Sequence, residues 1–155
     1  MITLKAPLEI GLCVCAPEMM IGFYRDVLGF ELISDLKVSL EKSRPTGFTK
    51  DGYRIIRFQT NHGERIKLVH PYSIPKKRTF EEEVLSHRGN VFMTFIIEDI
   101  KSILKKIRSK VTIFRTEGEI VEVRKGVYLS IIDDPEGNHI ELVEYLNLEE
   151  YRSDL

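Results

Sequence analysis

The chain has 155 residues, 43% of them hydrophobic and 30% charged, with a formal net charge of −1. That length suits one domain or two very small ones, and the composition builds a core beneath a polar surface. The balanced charge, without aromatic–basic interleaving, argues against a nucleic-acid surface, and no apolar run of about 18 residues is present to span a bilayer.

The start, MITLKAPLEIGL, lacks the charged region and cleavage site of a secretory leader, so a cytoplasmic protein is expected. A first strand is expected in LEIGLCVCA (8–16). Alternation puts Ile10, Leu12 and Val14 on one face, and Glu9, Gly11, Cys13 and Cys15 on the other. The two cysteines are poorly spaced for a mutual disulfide, and no second Cys/His pair completes a metal site. They are expected to be small buried hydrophobes in a reducing compartment. A helix follows in PEMMIGFYRDVLG (17–29), with Pro17 in its first turn and Gly29 as its stop. Met20, Phe23, Tyr24, Val27 and Leu28 recur at helical spacing, and Tyr24 is expected to be a core contact. FELISDL (30–36) is a further extended run.

RIIRFQTNHGERIKLVH (54–70) reads as a hairpin turning at Gly63. Residues 71–90 form a linker with two prolines and many charges, and a short helical turn is expected near Phe80–Leu85. The pattern then begins again. NVFMTFIIE (90–98) reads as a strand and DIKSILKKIRS (99–109) as a helix capped by Asp99, with Ile100, Ile103, Leu104 and Ile107 in one stripe. VTIFRT (111–116) is extended, and YLSIIDDPEGNHIELVE (128–144) lies over the first hairpin without a gap. The tail, 146–155, is expected as a short helix or a frayed end. The chain is thus a β-α-β-β-β module used twice, over 1–70 and 91–145. In the last strand of each copy, Lys67 is exchanged for Glu141.

GFYRDVLGFEL (22–32) and DDPEGNHIELVEY (133–145), with the modules between them, resemble the vicinal oxygen chelate superfamily over about 8–145. This group holds glyoxalase I, extradiol dioxygenases and bleomycin resistance proteins. The resemblance implies an α+β fold in which the sheets of two tandem βαβββ modules form an open cup, helices outside and ligand inside. It implies a small-molecule substrate or ligand and a homodimer. In metal-using members four side chains in the cup hold a divalent ion; those positions fall here on Glu9, Lys67, Phe92 and Glu141. A protonated Lys has no lone pair and Phe offers no ligand atom, so neither a metal nor another cofactor is expected.

By alternation Arg65, Lys67 and Val69 face the cup from one hairpin, and His139, Glu141, Val143 and Tyr145 from the other, while Ile66, Leu68, Ile140 and Leu142 pack. Lys67 is expected opposite Glu141 with Glu9 near, and Arg57 is expected to line the neighbouring strand, so that two cations balance two anions. The candidate catalytic residues are therefore Glu9, Lys67 and Glu141. Arg57, Phe92, His139, Tyr145 and Cys13 are candidate ligand contacts, His139 being expected to be solvated beside its turn. Three functions follow: a metal-independent lyase or isomerase acting beside a carbonyl, a non-catalytic binding protein, and a metalloenzyme with an atypical ligand set.

Overall fold

The computed structural model describes residues 3–76, 83–111 and 113–154. The chain divides into two compact units, Met1–Arg78 and Thr79–Leu155.

In the first unit the strands are β1 (Glu9–Cys13), β2 (Glu31–Val38), β3 (Tyr53–Gln59) and β4 (Arg65–Pro71). They form one sheet in the order β1-β4-β3-β2. β1 runs parallel to β4, and β3 runs antiparallel to both β4 and β2. The expected helix is present as α1 (Pro17–Ile21), passing into a wider π-helical turn over Gly22–Val27. Pro17 begins it, since a first-turn residue needs no hydrogen-bonded N–H. Gly29 follows it at φ +77°, a left-handed conformation that side chains with a Cβ resist. Tyr24 is fully buried and stacks on Phe58 at 6.0 Å, with Phe23 edge-on at 5.4 Å, so it is a core contact as expected. A short helix, α2 (Leu40–Ser43), and a 3-10 turn at Arg44–Thr46 stand between β2 and β3, with no sequence expectation behind them.

The second unit has β5 (Phe92–Ile96), α3 (Ile100–Ile107), β6 (Ile113–Phe114), β7 (Val121–Arg124), β8 (Val127–Asp133) and β9 (His139–Tyr145). The sheet order β5-β9-β8-β6 repeats that of the first unit, with β7 added on β8. Asp99 caps α3 by accepting from the Ser102 N–H at 3.1 Å. Ile100, Leu104 and Ile107 are buried where α3 packs on β8 and β9. Within the extended run expected at 111–116, Thr112 lies outside the described residues and β6 covers Ile113–Phe114, beyond which Arg115 and Thr116 bond β8 in another way. The Arg115 N–H donates to the Ile131 carbonyl, and the Thr116 hydroxyl accepts from the Ile131 N–H.

The helical turn expected near Phe80–Leu85 lies partly outside the described residues; within them, the Ser86 N–H donates to the Glu83 carbonyl at 3.3 Å. The tail forms a 3-10 turn at Leu148–Glu150. No helix among the described residues is long and apolar enough to cross a membrane.

Candidate functional site

In the first unit one sheet face is apolar and carries the helix: Val14, Ile56, Phe58, Ile66 and Leu68 are all buried. The opposite face is charged at one end, and carries the buried Tyr53 and Ile55 and the half-buried Val69 beyond it. Strand registry fixes its members, because paired residues on neighbouring strands point to the same side. Glu9 pairs with Arg65, and Gly11 with Lys67. Lys67 in turn pairs with Arg57, and Arg65 with Gln59. Arg57 pairs with Ser34 on β2, next to a bulge at Ile33. The Lys67 ammonium lies 3.4 Å from one Glu9 oxygen, and the Arg65 guanidinium lies 3.5 Å from the other. Arg65 also donates to the Gln59 side-chain oxygen at 2.8 Å. Arg57 donates to the Ser34 hydroxyl at 3.3 Å and has no carboxylate partner among the described residues. The sequence places Glu9, Lys67 and Arg57 on one face, and the structure does the same. The partner of Lys67 in this unit is Glu9, and Arg65 joins the charge balance as a third cation.

Cys13 and Cys15 are corrections. Both are exposed, and neither forms a disulfide. Cys13 shares the strand face of Glu9 and Gly11, so alternation outweighs the usual preference of cysteine for the interior, whereas Cys15 lies beyond the end of β1.

In the second unit Phe92, Thr94 and Ile96 of β5 pair with His139, Glu141 and Val143 of β9. The Thr94 hydroxyl donates to Glu141 at 2.5 Å. Phe92 and Ile96 keep 41% and 37% of their surface exposed on this face, leaving apolar area for a ligand. Tyr145 stacks on Tyr151 of the tail at 4.4 Å, with the Arg124 guanidinium 5.9 Å from its ring. Burial, followed by the Tyr151 hydroxyl, raises the Tyr145 phenol above its ordinary range.

His139 is the second correction. Its expected solvated position is in fact buried, with Nδ1 2.8 Å from Asp133 Oδ1. Asp133 is held from its other side by Arg115, whose Nε and Nη2 donate at 2.6 Å each. A carboxylate 1% exposed requires such compensation, and a bidentate guanidinium plus an imidazole N–H supplies it. Sequence reasoning missed this triad. The spacing from Asp133 to His139 was the available signal, since it equals that of Gln59 and Arg65 in the first hairpin.

A model of the Glyoxalase/Bleomycin resistance protein/Dioxygenase superfamily matches residues 7–142. The chain belongs to this superfamily. A glyoxalase family protein from Bacillus cereus is similar in fold, with a TM-score of 0.76 at 22% identity, over 94% of this chain and 97% of that one. The trypanothione-dependent glyoxalase I of Leishmania major has a TM-score of 0.65 at 16% identity, over 97% and 94%. A superfamily member from Sphaerobacter thermophilus has a TM-score of 0.60 at 18% identity, over 91% and 98%. No curated protein matches the chain.

The residues at the positions to which the resemblance assigns metal ligands do not suit a divalent ion by their own chemistry. An ammonium stands beside Glu9, and Phe92 brings no donor atom. Among the described residues no group of three or more His, Cys, Asp or Glu side chains is gathered as a metal would require.

Proposed function

We propose that this superfamily member is a small-molecule enzyme of the lyase or isomerase type that moves a proton beside a carbonyl without a metal ion. The observation that carries this reading is the Lys67 ammonium, 3.4 Å from Glu9 at a position where metal-using relatives carry a ligand. Removing a proton from the carbon next to a carbonyl leaves an electron pair that delocalises onto the carbonyl oxygen. A fixed positive field stabilises that oxygen as charge develops, and Lys67 with Arg57 supplies one. Returning the proton to a different carbon completes an isomerisation; losing a leaving group completes an elimination.

The base is a carboxylate. Glu9, shared between Lys67 and Arg65 on the same sheet face, is the carboxylate beside that positive field. A Schiff base through Lys67 is disfavoured, because its nitrogen is engaged with the Glu9 carboxylate at 3.4 Å.

Turnover of small carbonyl compounds in the presence of a chelator tests the reading. Lys67→Met and Glu9→Gln should each lower kcat by about 10²–10³ while changing substrate affinity far less. Activity that appears only on adding a divalent metal would contradict it. A second reading, a binding protein without turnover, is favoured by the exposed Phe92 and Ile96. Under that reading no form of the protein turns over any substrate.

The assembly expected from the resemblance, a homodimer, and the cytoplasmic location remain part of this proposal. Sedimentation at micromolar concentration checks the first.

A further inference from the structure

The open face of the first unit's sheet carries three adjacent cations, Arg57, Arg65 and Lys67. Two carboxylates share that face. Glu9 is divided between Arg65 and Lys67 at the long end of ion-pair distance. Glu31, the edge-strand partner of Gln59, is exposed and makes no ion pair among the described residues. Arg57 and Lys67 stand directly opposite each other, with Cβ atoms about 4.5–5.5 Å apart, and like charges so placed repel.

The other face of the same sheet shows how this unit treats an arginine that has only a structural task. Arg54 is clamped by Asp35 through two bonds of 2.8 and 2.6 Å and reaches Glu18 as well. Two acids there neutralise one cation, whereas Arg57 has only the Ser34 hydroxyl. That hydroxyl accepts from Arg57, so its own proton points onward as a further donor. Gly11 beside Lys67 leaves the face open: a Cβ there would come 4.0 Å from Lys67 Cε. Donors outnumber acceptors, the cations are partly exposed, and Gly11 leaves bare backbone beside Lys67. Each of these features favours an incoming oxyanion.

We infer that this face binds the carboxylate or phosphate group of a small molecule, held by Arg57 and Lys67 with Arg65 and Ser34 in support. The inference deepens the proposed function by naming the substrate class as anionic, and it rests on that reading only for the claim that the bound molecule is then transformed.

The test is calorimetric titration with inorganic phosphate and, separately, with oxalate, at ionic strength held constant by sodium chloride. At least one anion should bind saturably, and the one that does names the head group. Arg57→Gln and Lys67→Gln should each weaken binding about tenfold, the loss of one charge-assisted hydrogen bond. Arg25→Gln, which removes an exposed cation paired with Asp26, should leave affinity unchanged. Amide shifts in the unaltered protein give a second readout, and should centre on Gly11, Arg57 and Lys67. No saturable binding of either anion, equal binding in the face variants, or shifts centred elsewhere would each overturn the inference. Anion binding without turnover of any carbonyl compound leaves the site standing and removes the enzymatic reading. Turnover of uncharged compounds without anion binding does the reverse.

Discussion

The two units repeat one strand order, yet equivalent positions meet opposite demands. Gln59 and Arg65 in the first hairpin become Asp133 and His139 in the second, each pair bonded at 2.8 Å. Arg57 becomes Ile131, Lys67 becomes Glu141, and Ile56 becomes Ser130. Arg65 is 38% exposed and satisfied by a neutral amide, whereas Arg115 and Asp133 are 8% and 1% exposed and bind each other twice. The difference teaches that the buried charge of the second unit, Asp133 with Arg115, is structural and compensated. Charge on the open face of the first unit is left in excess where water and a ligand can reach it.

Substitutions that remove charge should therefore act in opposite directions in the two units. The largest effect is expected from Asp133→Ala, which strands a buried guanidinium and should destabilise the protein by about 3–5 kcal/mol in a urea melt. Gln59→Ala, at the equivalent position, should cost less than about 1 kcal/mol. Next is Ser130→Ala. The Ser130 hydroxyl is buried and has no hydrogen-bond partner among the described residues, so its removal should be neutral or stabilising by up to about 1 kcal/mol. Its counterpart Ile56 is already apolar, and Ile56→Ala should cost about 2–5 kcal/mol through the cavity it leaves. Smaller again, Arg57→Ile copies the second unit into the first and relieves the like-charged pair with Lys67. It should raise stability by about 0.2–1 kcal/mol without added anion, and that gain should vanish in saturating ligand.

The smallest effect concerns acid. The Arg54 guanidinium holds the Asp35 carboxyl below its ordinary range. A carboxyl with a lowered folded pKa contributes stability above its unfolded value, and that contribution is lost as pH falls through the folded one. Asp35 is 39% exposed, so the effect is modest. Asp35→Asn should flatten the stability profile slightly below about pH 4 and make the protein less stable at neutral pH.

Much of this architecture was legible in the sequence. The ungapped repeat of hairpins, the Pro17 and Gly29 boundaries, and the Asp99 cap all rest on local chemistry and reappear in place. Period-two alternation sorted Glu9, Lys67 and Arg57 onto one face because each lies inside a regular strand. β7 escaped although V-E-V-R alternates and Lys125-Gly126 follows as a turn into β8, which is itself a hairpin signal. The buried triad depends on contacts distant in sequence. His139 looked solvated because it adjoins a Gly-containing turn; only Arg115, arriving from beyond β6, makes Asp133 a buried partner for it. The cysteines were misread from the average habit of their residue type, although the alternation of their own strand had already put them on the open side.

The central claim is that an ammonium and its neighbouring guanidinium groups stand where metal-using relatives hold an ion. Titration of the metal-stripped protein with Mn²⁺, followed by electron paramagnetic resonance, tests it most directly. Free Mn²⁺ signal that rises in proportion to added metal, with no saturable site, is the result expected. One tight Mn²⁺ per chain, bound with Lys67 intact, would contradict it.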